Sequence, residues 1–394
     1  MYQQRTLALT LQQALSSFPA VLLTGPRQSG KTTFLLHEAG AHADYVSFDD
    51  PLERDYAVQD PNGFLARFGQ QTLILDEIQY VPQLMQHLKM RIDRQPERNG
   101  QWLLTGSQQF ALMRDVSESL AGRVAILELP PFSHTEYPRN TLDETLWSGS
   151  YPGVALYPQR RDLWLRSYVS TYIERDVRQI RNVPDLRVFN QFLTLAAARH
   201  AQEFHAAELA RELGISQPTV KSWGSILEAS YIAHFLPPWH RNYGKRVVKA
   251  SKFYFLDAAL VSLLTRQPDA SAALAGPMAG ALFEGWVVTE VVKAFMAAGR
   301  KPELYFWRSH DGLEVDLLIA IGGKLQAVEI KLTASPNAGH LAPLTRLLGT
   351  LGSEAWEQGL IVCRSDAPRA LPGGHQALPW HQFAAWMQER LRGG

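Results

Sequence analysis

One cysteine in 394 residues, Cys363, leaves no partner for an intramolecular disulfide and excludes a zinc or iron–sulfur site built from several thiolates of this chain. A reducing compartment, the cytoplasm, is therefore expected. Long apolar runs are also missing. No stretch approaches 18 consecutive apolar residues, and Met1–Leu11 carries a single charge, at Arg5, with no export-cleavage pattern behind it, so no membrane partner is expected. Net charge is scarce too: 39 basic residues against 38 acidic ones confine any polyanion-binding surface to a local patch. What the chain has in quantity is apolar surface, 46% hydrophobic residues with 10% aromatic, enough for two or three packed units at roughly 150 residues each.

The first 130 residues contain five short apolar or β-branched runs: Ala20–Thr24, Tyr45–Phe48, Thr72–Leu75, Trp102–Thr105 and Val124–Leu129. They are separated by helix-sized intervals, the pattern of a parallel α/β sheet. Pro130 and Pro131 close the block. Helical periodicity with an excess of arginine follows from Arg161 to His200.

Directly after the first run stands Gly25-Pro26-Arg27-Gln28-Ser29-Gly30-Lys31-Thr32, which satisfies G-x-x-x-x-G-K-[ST] in full, with a helical run from Thr33 to His37 behind it. The glycines let backbone amides approach phosphate oxygens, Lys31 reaches the β and γ phosphates, and Thr32 can ligate magnesium. Leu73–Leu75 runs into Asp76 and Glu77, so a strand end presents paired acids. Asp76 would hold the magnesium shell, and Glu77 would orient and deprotonate an attacking water. ATP and Mg2+ are the expected cofactors, bound by Gly25–Thr33 and Asp76.

These residues resemble the AAA-type branch of P-loop ATPases. The resemblance implies an extra strand between the nucleotide strand and the acidic one, for which Tyr45–Phe48 would serve. It also implies a polar γ-phosphate sensor, at Ser107 with Gln108 as the weaker candidate, and an arginine acting on a neighbouring subunit's site, at Arg123. Arg175 is a candidate lid sensor, or else half of a helix-surface ion pair. A homo-oligomer, ring or hexamer, would follow from such an arginine.

Ala207–Ser216 followed by Gln217-Pro218-Thr219-Val220-Lys221 resembles the winged helix-turn-helix family, with Ser216 capping the second helix. Gln217, Thr219 and Lys221 would meet a DNA groove. The basic stretch with Arg241, Lys245, Arg246, Lys249 and Lys252 would be the wing. Leu209, Leu213, Ile215, Val220 and Trp223 are assigned to the small core.

Further on, Glu284 lies on a helix, Asp316 follows the Asp311-Gly312 turn, and Glu329-Ile330-Lys331 ends the next strand. Residues two apart on a strand share a face, so Glu329 and Lys331 converge. Carboxylate oxygens suit Mg2+ or Mn2+, with Lys331 orienting water or moving a proton. The arrangement resembles the E…D…E-x-K form of the restriction-endonuclease-like superfamily, which includes archaeal junction resolvases. Glu284, Asp316 and Glu329 would then be metal ligands, with an inactive remnant of that fold as the open alternative.

Taken whole, the chain resembles a bacterial and archaeal family of uncharacterised ATPases. The implied class is α/β: an AAA-type ATPase core at residues 1–135, a helical lid or connector at 136–200, a winged helix-turn-helix at 201–255, and a restriction-endonuclease-like domain at 256–394. The expected function is ATP-driven remodelling of, or translocation on, DNA, junctions or branched DNA included, with a metal-dependent nuclease site. The alternative is a nucleotide-controlled assembly switch or adaptor whose nuclease-like domain binds without cutting.

Overall fold

The computed structural model describes residues 2–40, 43–106, 116, 118–173, 185–240 and 250–393. The chain divides into two compact units, Met1–Phe132 with Met296–Arg300, and Ser133–Phe295 with Lys301–Gly394.

In the first unit the five apolar runs become β1 (Ala20–Thr24), β2 (Asp44–Ser47), β3 (Leu73–Asp76), β4 (Trp102–Thr105) and β5 (Val124–Glu128). They form one parallel sheet in the order β2-β3-β4-β1-β5. β1, β3 and β4 are buried at every position, as strands covered on both faces must be, whereas the edge strands β2 and β5 are only partly buried. Alternation sorts their side chains between two cores. Leu22, Leu75 and Leu104 pack with Phe64 and Leu88 on one face. Val21, Leu23, Ile74 and Leu103 pack with Leu11, Phe34 and Leu35 on the other.

One expectation is corrected here. The strand lying between β1 and β3 is β4, while the Tyr45 strand, β2, sits at the edge beyond β3. The four-residue β2, with Tyr45 exposed and only Val46 buried, lacks the two apolar faces a central position demands.

In the second unit, helices Arg161–Tyr168 and Leu186–Ala198 fall within the arginine-rich segment. Helix Ala206–Leu213 ends at Gly214 in the left-handed region (φ 66°), and helix Gln217–Ala229 follows. A small antiparallel sheet comes next, with β6 (Gln202–Glu203), β7 (Ala233–Leu236) and β8 (Lys252–Phe255) in the order β6-β8-β7.

The remainder is a six-stranded sheet, β13-β14-β12-β11-β10-β9, built from β9 (Leu304–Arg308), β10 (Glu314–Ile321), β11 (Lys324–Ile330), β12 (Leu360–Cys363), β13 (Arg369–Ala370) and β14 (Gln376–Pro379). β9, β10 and β11 form an antiparallel meander, and β11, β12 and β14 run parallel. Helix Ala279–Ala297 is apolar around most of its circumference, with Leu282, Phe283, Val287, Val288, Val291 and Val292 all buried, and reads as an interior helix. The β9–β10 register shifts between Val315 and Leu318, an irregularity whose span includes Asp316.

Candidate functional site

The carboxyl end of β1 opens into the phosphate loop. Gly25 takes φ 138°, and a Cβ there would lie 2.4 Å from the Leu129 carbonyl oxygen, so the position accepts glycine alone. Gly30 (φ 92°) turns the chain into helix Lys31–Glu38. Pro26 and Ser29 are buried, Arg27 is half-buried, and Gln28 and Thr33 are exposed. The Ser29 hydroxyl is buried without a hydrogen-bond partner. The Lys31 ammonium folds back over its own loop, donating to the carbonyls of Gly25 (3.1 Å) and Pro26 (3.0 Å).

The end of β3 brings the acids alongside. Thr32 Oγ1 donates to Asp76 Oδ2 at 2.9 Å, and the Tyr45 hydroxyl donates to the same oxygen at 3.0 Å. The Thr105 hydroxyl, from the end of β4, donates to Asp76 Oδ1. Burial, with the Asp76 charge beside it, pushes the Tyr45 hydroxyl up to about 12, so it remains a donor through neutral pH. Glu77 follows in the left-handed region (φ 56°), a conformation that costs a non-glycine residue about 1 kcal/mol. Its amide donates to Thr105 Oγ1 (3.3 Å), and the Gln79 side-chain amide donates to its carboxylate.

Sequence reasoning missed three residues of this site. Arg5, 4% exposed, donates to the carbonyls of Ser29 (3.1 Å) and Pro130 and lies over the Phe132 ring (4.9 Å), clamping the base of the loop. Tyr45 and Thr105 fix the Asp76 carboxylate from neighbouring strands. A lone charge in an apolar opening is the one signal that could have marked Arg5. Nothing in the sequence marks the other two.

The donor set fits a magnesium nucleotide. The hydroxyl of Thr32 and a carboxylate oxygen of Asp76 are already side by side. The buried Ser29 hydroxyl is an orphaned donor in the loop, and Lys31 rests on neutral carbonyls that a phosphate oxygen can replace. Ser107 and Gln108 lie outside the described residues, as does Arg175. Arg123 begins no such site of its own. It precedes β5, its carbonyl accepts from Ala20 N at the start of β1, and its side chain donates to Asp93 (2.5 Å). A five-residue strand, about 16 Å, lies between that end of the sheet and the phosphate loop.

In the second unit the E…D…E-x-K residues do form one charged cluster, but lysines sit among the acids. Lys252 Nζ, from β8, lies 2.9 Å from Glu284 Oε1 and 2.5 Å from Glu314 Oε1. The Tyr254 hydroxyl donates to Glu284 Oε1 at 2.6 Å. Lys331 Nζ lies 2.7 Å from Glu329 and 3.0 Å from Asp316, whose Oδ2 also accepts from Ile330 N (2.8 Å). Burial first, then the Asp316 charge, raises Glu284 and pushes Glu329 up to about 8. Burial opposes the charge on Lys252 and on Lys331, yet their acidic neighbours hold both above the ordinary lysine range.

Among the described residues no three His, Cys, Asp or Glu side chains are arranged to hold a metal ion. Glu284, Asp316 and Glu329, expected as Mg2+ or Mn2+ ligands, each place one carboxylate oxygen on an ammonium or hydroxyl group. Lys252, counted from sequence with the basic wing, is buried in this cluster instead. A buried cation opening an aromatic strand, Lys252-Phe253-Tyr254-Phe255, was the signal available.

On the helix pair, Ser216 caps as expected, accepting from Thr219 N at 3.2 Å. Gln217 and Lys221 are exposed and Thr219 is half-buried against Ser216. Val220 and Trp223 are buried, while Glu208 and Glu212 are exposed. Lys245, Arg246 and Lys249 lie outside the described residues. No described helix is long and apolar enough to cross a membrane.

Residues 17–138 match the family described as AAA domain. Residues 139–271 and 279–383 match two families described as domains of unknown function, DUF8612 and DUF4143. Two uncharacterised proteins, one from Mycobacterium bovis and one from Mycobacterium tuberculosis, are each 34% identical to the chain over 340 residues, 85% of this chain and 75% of theirs. Among solved structures, a Walker-type ATPase of Pyrococcus abyssi aligns with 67% of this chain and 96% of its own at 13% identity and a TM-score of 0.43. The RuvB Holliday-junction branch-migration motor of Thermotoga maritima aligns with 59% of this chain and 90% of its own at 19% identity and a TM-score of 0.30.

Proposed function

Because the chain belongs to the family of the two mycobacterial proteins and carries an AAA domain of the P-loop ATPase type, we propose that it hydrolyses ATP at the Lys31 site and spends that hydrolysis on DNA. The observation that carries the ATPase reading is the 2.9 Å contact between Thr32 and Asp76, closed over a glycine loop and followed at once by Glu77. Lys31 leaves the Gly25 and Pro26 carbonyls to bind the β and γ phosphates. The loop amides and the start of helix Lys31–Glu38 stabilise the remaining negative charge. Magnesium, when bound, offsets charge on the phosphate oxygens, with Thr32 and Asp76 as the residues that would hold it. Glu77 accepts the proton of the attacking water once its carboxylate turns from Gln79.

Arg123 serves a neighbouring copy in this reading. Its place at the opposite end of the sheet removes it from its own chain's phosphate loop, and the exposed Asp93 pair is one that a phosphate can outcompete. Arg123→Ala is expected to lose turnover while keeping nucleotide affinity. Mixing it with Glu77→Ala protein restores part of the activity, because one mixed interface then holds an intact Glu77 and an intact Arg123. No recovery in demonstrated mixed oligomers overturns the trans assignment.

The DNA reading is supported by the exposed Gln217 and Lys221 at the start of a capped second helix and by the basic stretch after Trp239. Phosphate release from ATP, measured with single-stranded, duplex and junction DNA, tests it. Several-fold stimulation by one of these, absent in Lys31→Ala, is the expected result, and identical rates with and without every DNA overturn it. A second reading, a nucleotide-controlled switch with a nuclease-like domain that does not cut, is favoured by the lysines seated in the acid cluster. Tight nucleotide retention with slow hydrolysis, and no cleavage of any DNA in Mg2+ or Mn2+, would select it.

A further inference from the structure

The acid cluster of the second unit has its own chemistry, independent of the ATP reading. We propose that Lys252 is the resident cation of this cluster, standing where a divalent metal would stand, so that Glu284, Glu314, Asp316 and Glu329 take no metal while its ammonium is in place.

Lys252 does not reach the acids by chance of a flexible stem. It opens β8, whose Phe253, Tyr254 and Phe255 are all buried and whose backbone pairs with β6 and β7, so its Cα is fixed. Alternation points Lys252 and Tyr254 to one face, and both end on Glu284 Oε1. The side chain is 4% exposed. The carboxylates come from elsewhere in the chain, Glu284 from helix Ala279–Ala297 and Glu314 and Asp316 from β10, so the lysine ties three elements to one point.

A hard divalent cation needs several oxygen lone pairs directed at one common centre about 2.0–2.6 Å away. Here the Glu284 and Glu314 oxygens are directed at an ammonium at 2.9 and 2.5 Å, and Asp316 and Glu329 at a second one. Much of the cluster's charge is paired without a metal. Four carboxylates face Lys252 and Lys331, and Arg308 is shared between Glu314 and Glu203. Glu329 is 3% exposed, and its Oε2 is buried and unpartnered. A metal added to this arrangement would have to expel an ammonium already held by two carboxylates in low dielectric.

The test is Mn2+ binding by the nucleotide-free full chain, read by electron paramagnetic resonance of free Mn2+. The wild type, Lys252→Arg and Asp316→Asn proteins are expected to bind alike, with no equivalent that depends on Asp316. Lys252→Met is expected to gain about one equivalent, at least tenfold tighter than any wild-type site, and the Lys252→Met/Asp316→Asn double variant to lose it. Should Lys252→Met fold only when Mn2+ is present, by circular dichroism, that rescue reads the same gain. A wild-type equivalent that Asp316→Asn abolishes overturns the proposal. So does a Lys252→Met protein that folds without metal and gains no binding. Failure of ATP hydrolysis would leave these readouts unmoved, because no nucleotide enters them.

Discussion

The phosphate loop and the acid cluster use the same three residue types, lysine, aspartate and glutamate, and arrange them in opposite ways. At the loop, Lys31 donates to two neutral carbonyls and Asp76 accepts from three hydroxyls. In the cluster, Lys252 and Lys331 sit directly on the acids. A site whose charges are already paired has little left to offer a metal, because separating buried partners leaves each without compensation.

The sharpest break of this contrast comes from the acid beside the loop. Glu77→Gln keeps shape and hydrogen bonding but removes the base, and kcat is expected to fall about 10^3-fold with KM within a few-fold. Steady-state phosphate release and nucleotide titration check both halves, and an unchanged kcat would remove Glu77 from the chemistry. Lys252→Met strips the buried cation from Glu284 and Glu314, and about 3–5 kcal/mol of stability of the second unit should go with it in metal-free buffer. Urea midpoints followed by Trp fluorescence read this, and a loss under 1 kcal/mol would mean the pairs are not buried charges at all.

Proton linkage separates the regions further. Glu329 is raised to about 8, so the folded chain holds its proton more tightly than the unfolded chain does. That contribution is complete below the unfolded pKa of about 4.3 and is lost as pH climbs through about 8. Stability of the second unit is thus expected to decline from pH 5 to pH 8, and Glu329→Gln to flatten the slope. A wild-type profile rising over that window contradicts the arrangement. The smallest effect belongs to Tyr45→Phe, which leaves Asp76 one donor short. The Mg2+ concentration for half-maximal ATPase is expected to rise a few-fold with little change in saturated kcat.

Much of the first unit was legible because its signals are local. Five strands, the glycine loop and the acids at the end of β3 come from apolar runs and one contiguous motif, and the structure places them within a residue or two of where periodicity puts them. The order of strands was less legible. Tyr45–Phe48 precedes β3 in the chain but lies at the sheet edge, and only its sparse burial distinguishes it from a central strand. In the second unit, the helix pair, the Ser216 cap and the Asp311-Gly312 turn before β10 follow from turns and caps. The edge strands β13 and β14 and helices Ala338–Leu351 and Trp380–Arg392 had no comparably clear punctuation.

By itself, then, the sequence determined the glycine loop, since its glycines, Lys31 and Thr32 are neighbours in the chain and their spacing is their geometry. It also named the acids Glu284, Asp316 and Glu329. Only the tertiary structure decided what those acids face, because Lys252 reaches Glu284 across 32 positions and Glu314 across 62, and Arg5 meets the Ser29 carbonyl across 24. Electrostatic character depends on distances of a few ångströms in a low-dielectric interior, and such distances between residues remote in sequence are set by packing alone.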